Sequence, residues 1–100
     1  MERSYAVVWA SNDRPCAGRL EAFADHFELR GLGAPVSIGF DELEAVSIER
    51  RGVDRLLGLP VLALAVHDRP PLRIASLEGA GFLRELADRL EAAGCTVAAA

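Results

Sequence analysis

The feature that most constrains this chain is a change of hydrophobic period at Gly79-Ala80-Gly81. Upstream, apolar side chains recur at every second position in short runs. Downstream, Phe82, Leu83, Leu86, Leu90 and Ala93 recur at helical spacing, and Arg84, Glu85, Asp88, Arg89 and Glu91 fill the opposite side. A period of two marks a half-buried strand and a period near 3.6 an amphipathic helix. Many short strands followed by one helix predict a mainly β domain, α+β by count, with one C-terminal amphipathic helix over about 80–93. Glu85 and Arg89 are spaced for an i,i+4 pair. Gly94 reads as the helix stop, and 95–100 as a short tail.

About seven strands are legible. Tyr5–Ala10 is aromatic and β-branched, Gly18–Ala22 alternates, and His26–Arg30 alternates with Phe27 and Leu29 on one side. Ala24-Asp25 joins the last two as a hairpin. Val36, Ile38 and Phe40 alternate after the turn 31–35. Asp41-Glu42-Leu43-Glu44 matches a capping box, an acceptor followed three residues later by an acid, which predicts one helical turn. Ala45–Glu49 alternates with Val46 and Ile48 inward. Leu43, Val46, Val53 and Leu57 also fall near helical spacing, so a helix over 41–51 stays open as the alternative. Val61–Val66 is apolar on both faces and reads as the most buried strand. The turn His67–Pro71 follows, then Leu72–Ala75.

One hundred residues with a net charge of −4 fit one domain spanning 1–100. The acidic balance argues against nucleic-acid binding, which needs a basic face to neutralise phosphates. All eleven basic residues are arginine, which points to a GC-rich, bacterial composition. Cys16 and Cys95 are far apart and form no metal-ligand cluster, so neither a metal, a cofactor nor a disulfide is expected; whether the two thiols approach each other stays open. The apolar runs Tyr5–Ala10 and Leu56–Val66 are too short for a signal-peptide core and a bilayer span respectively. The expectation is a cytoplasmic protein with reduced thiols and no transmembrane segment.

Three stretches carry a resemblance. Gly18-Arg19-Leu20 through Phe27-Glu28-Leu29 forms an opening hairpin. Ile38-Gly39-Phe40-Asp41-Glu42-Leu43-Glu44-Ala45-Val46 runs from an apolar strand through an aromatic and acids to a valine. Phe82 to Leu90 is the terminal helix. In this order they resemble the pleckstrin-homology-like superfold, which includes PH, GRAM and bacterial PH-like domains. The resemblance implies a barrel or split sheet of antiparallel strands closed by the helix. Two departures matter. The first hairpin offers Arg19 and Arg30 among Glu21, Asp25 and Glu28, not a basic cluster, so phosphoinositide binding is not expected. The terminal helix carries Phe82 where many such domains carry tryptophan.

Chemistry-bearing residues are sparse. His67-Asp68 could form a base pair of catalytic type, but adjacent strand residues face opposite ways, and a solvated turn is the simpler reading. Cys16 has no histidine near it in sequence to activate it. Gly79-x-Gly81 before a helix is a faint anion-site signal that a plain turn explains. The sole basic concentration is Arg50, Arg51 and Arg55, flanked by Leu56 and Leu57. Guanidinium groups there favour carboxylate or phosphate partners, and the leucines could add an apolar contact. The expected function is a non-catalytic interaction module that binds protein or self-associates. The alternative is a peripheral anionic-lipid or anion-binding domain using the Arg50–Arg55 loop; a small enzyme ranks below both.

Overall fold

The computed structural model describes residues 3–11, 15–33, 35–49, 56, 58–79 and 81–99. In chain order these form β1 (Arg3–Ala10), β2 (Cys16–Ala22), β3 (His26–Arg30), β4 (Val36–Gly39), a 3₁₀ turn (Phe40–Glu42), β5 (Leu43–Glu49), β6 (Val61–Val66), β7 (Leu72–Ser76), α1 (Gly81–Ala92) and β8 (Val97–Ala99). The eight strands make one sheet in the order β4-β3-β2-β1-β7-β6-β5-β8. The sheet is mixed rather than wholly antiparallel, because β8 pairs parallel to β5 through Val46–Ile48. No ladder joins β4 to β8, so the sheet is not closed.

The alternating residues do what their period predicts. Tyr5, Val7 and Trp9 of β1, Phe27 and Leu29 of β3, Ile38 of β4, Val46 and Ile48 of β5, and Leu62 and Leu64 of β6 share one core. Because strands from opposite ends of the order meet in that core, the sheet curls around it. The helix supplies the remaining wall: Phe82, Leu83, Leu86, Ala87 and Leu90 are buried, and the Phe82 ring meets Tyr5 edge-on with centroids 4.7 Å apart. The helix ends in a Schellman motif. Gly94 takes a left-handed φ of 100°, its N–H donates to Glu91 at 3.0 Å, and the Cys95 N–H donates to Leu90 at 2.9 Å.

Residues 43–49 are strand, as their alternation predicts, and the alternative helix is excluded, because Val46 and Ile48 carry the inward period opposite Leu64 and Leu62. Two expectations are corrected. The turn before β5 begins two residues earlier than the capping-box reading: the Glu42 carboxylate accepts from the Gly39 N–H at 2.9 Å, leaving Glu44 at a register shift in β5. The segment read as a tail contains β8, with Val97 packed partly against the core.

A second, smaller cluster lies outside the main one. Val8, Ala10, Val61 and Ala75 meet Leu56, with Leu59 packed against them. Leu56 and Leu59 exchange two backbone hydrogen bonds of 3.0 and 2.9 Å, so this part of the β5–β6 connection covers the other face of the central strands. That face needs a cover because its side chains are small and apolar.

Candidate functional site

Of the five residues expected to form a contact surface, Arg50, Arg51, Arg55 and Leu57 lie outside the described residues. Leu56 is only 5% exposed and is spent on the second core rather than offered to a partner. The sequence pattern could not separate these uses, because an apolar residue beside a basic run suits either a contact or a cover.

The geometry beside Leu56 points to a neighbouring surface that sequence reasoning missed. Leu59 and Pro60 at the end of the connection, Ser76 at the end of β7, Leu77 and Gly79 after it, and Leu83 of α1 line an apolar groove of about 460 Å³. Leu77 stands at its rim with 54% of its surface exposed. Its backbone N–H donates to the Ala6 carbonyl at 2.9 Å, which ties the residue to β1 and holds it in place. Ser76 stabilises the turn by accepting from the Glu78 N–H at 2.9 Å. Gly79 has a φ of 110°, a conformation that favours glycine, so the chain turns sharply from β7 towards α1. The faint glycine signal thus serves a turn. Leu77 falls between the last alternating run and the glycines, where the sequence pattern assigns it no role.

The polar chemistry gathers at a different place, around the 3₁₀ turn. The Phe40 N–H donates to Asp25 at 2.9 Å and the His67 N–H donates to Glu42 at 2.8 Å, so the turn joins the β2–β3 and β6–β7 connections. Each histidine there lies between two carboxylates. His26 Nδ1 is 2.7 Å from Asp25 and Nε2 is 3.4 Å from Glu28. Its ring also stacks on Phe23, with centroids 4.6 Å apart. The hydrogen bond to Asp25 raises the imidazole above its ordinary range, with Glu28 assisting, and the same bond holds the Asp25 carboxyl below its own. His67 Nδ1 lies 3.0 Å from Glu44 and Nε2 lies 3.3 Å from Asp68. The strand argument against a His67–Asp68 contact therefore fails: these residues occupy a turn, and Asp68 has a φ of 58°. Both side chains are well exposed, so the contact is a solvated one rather than a sheltered catalytic pair.

The thiols differ in setting. Cys16 is exposed at the start of β2, while Cys95 is half-buried with its Sγ 3.7 Å from the Phe40 carbonyl. Burial pushes the Cys95 thiol up, away from the reactive thiolate. Both are free, and no group of three or more metal-ligating side chains occurs among the described residues. No described helix is long and apolar enough to cross a membrane.

No protein-family model matches the chain, and no curated protein matches it. Among solved structures, it is similar to the C-terminal domain of an unknown protein from Leishmania infantum, with a TM-score of 0.71 and 15% identity over 91% of this chain and 84% of that one. At that identity the likeness shows a shared fold and nothing of function.

Proposed function

We propose that the chain is a non-catalytic interaction module with a PH-like split barrel, that it works in the cytoplasm, and that it self-associates through the Leu77 groove. One observation carries the self-association reading: an exposed apolar knob, Leu77, sits on the rim of an apolar hole lined by Leu59, Pro60 and Leu83. A patch holding both knob and hole is self-complementary, as a two-fold contact requires. The PH-like reading is supported by seven strands in the order 4-3-2-1-7-6-5 curled around one core, with a helix packed into it. The two free thiols fit a reducing compartment.

Sedimentation velocity of the full chain over a concentration series tests the contact. The wild type should pass from monomer to dimer, and Leu77→Glu should remain monomeric with an unchanged melting temperature. A wild type that stays monomeric at millimolar concentration would refute self-association. Flotation with anionic vesicles tests the rival lipid reading, whose binding would weaken with salt.

A further inference from the structure

The sheet leaves a seam between its free β4 edge and the turn joining β6 to β7. In that seam lies a cavity of about 240 Å³ that shares no lining residue with the Leu77 groove. Its walls include Trp9 of β1, Leu29 of β3, Ile38 of β4, Val66 of β6 and Leu72 of β7. One charged side chain, Arg69, shares the lining. Its guanidinium makes two long contacts, donating to the Ser37 carbonyl at 3.4 Å and lying 3.8 Å from Glu42. Both lengths are at the loose end for a charged donor, and a guanidinium has five N–H groups in a flat fork suited to a carboxylate.

We infer that this seam is a binding site for a small apolar carboxylate, whose stem fills the cavity and whose head group pairs with Arg69. The size follows from the volume. At about 30 Å³ for each water-sized unit, the space takes about eight non-hydrogen atoms. A six-carbon monocarboxylate has that size and that polarity. Among the described lining residues Arg69 is the one cation, so the apolar walls suit a ligand with a single charge. Entry of the stem displaces water from aliphatic and indole surface, and the carboxylate exchanges the loose Ser37 and Glu42 contacts for a paired one.

Trp9 is the chain's sole tryptophan and lies in the wall, so its emission reports occupancy directly. Hexanoate titrated into the full chain should give a saturable change in Trp9 emission. Hexanol, with the same stem and no charge, should bind at least about tenfold more weakly, the scale of one charged hydrogen bond. Arg69→Gln should weaken hexanoate to the level of hexanol while leaving hexanol unaffected, and a melting curve checks that the variant folds. Absence of a saturable change, equal binding of hexanoate and hexanol by the wild type, or undiminished hexanoate binding by a folded Arg69→Gln would each overturn the assignment. The first two comparisons use the wild type alone and stand whether or not the variant folds.

Discussion

Gly18 shows how one missing side chain fixes the first hairpin. A Cβ placed there would lie 2.0 Å from the Arg30 carbonyl oxygen, which is backbone and cannot swing aside. Gly18→Ala should therefore destabilise by about 3 kcal/mol, the upper range for an overpacked site, read as a drop in the denaturant midpoint. His26 gives a prediction with a pH sign. Its raised folded value means that its contribution is fully present below the ordinary imidazole value of 6.5 and is lost as pH rises through the folded value. Asp25, held low, contributes above its ordinary 3.8 and loses that contribution as pH falls through its folded value. Both groups are charged between those limits. The melting-temperature difference between wild type and His26→Gln should be largest from pH 4 to 6.5 and shrink above, by the linkage of these values. A difference that grew above pH 7 would contradict the assignment.

The α1 element rests on its buried stripe. Leu86 is fully buried, so Leu86→Ala should cost about 2–5 kcal/mol and visibly lower the melting temperature. The same stripe was the most legible feature of the sequence, because 12 residues give a helical period room to repeat. Strands β3 and β7 were legible for the matching reason, with inward residues alternating between turn-forming neighbours, and β6 by its unbroken apolar run. β8 was not. Three residues, two of them alanine, carry no period, and only a partner strand defines them. The 3₁₀ turn was misplaced by two residues because several acids in a row offer more than one capping register. The positions of Arg19, Glu21, Glu28 and Arg30 across β2 and β3 also needed the register: Arg30 Nε reaches Glu21 at 2.7 Å across the ladder.

At the scale of the molecule, two apolar features remain outside the main core's own needs. The β5–β6 connection covers the small second cluster with Leu56, and the groove beyond it is left with Leu77 on its rim. The sequence pointed to this connection through its arginines and to the leucines beside them, but it could not say that Leu56 turns inward. Burial decided that, since Val8, Val61 and Ala75 must be shielded by something. Leu32 and Leu77 are the large apolar side chains left exposed among the described residues, and of the two Leu77 borders the groove. The direct measurement is an isotope-filtered NMR experiment on an equal mixture of labelled and unlabelled chains at dimerising concentration. The account predicts intermolecular contacts from the Leu77 methyls to those of Leu59 and Leu83. Contacts between copies that involve the β4 or β8 edge instead, with none from Leu77, would contradict it.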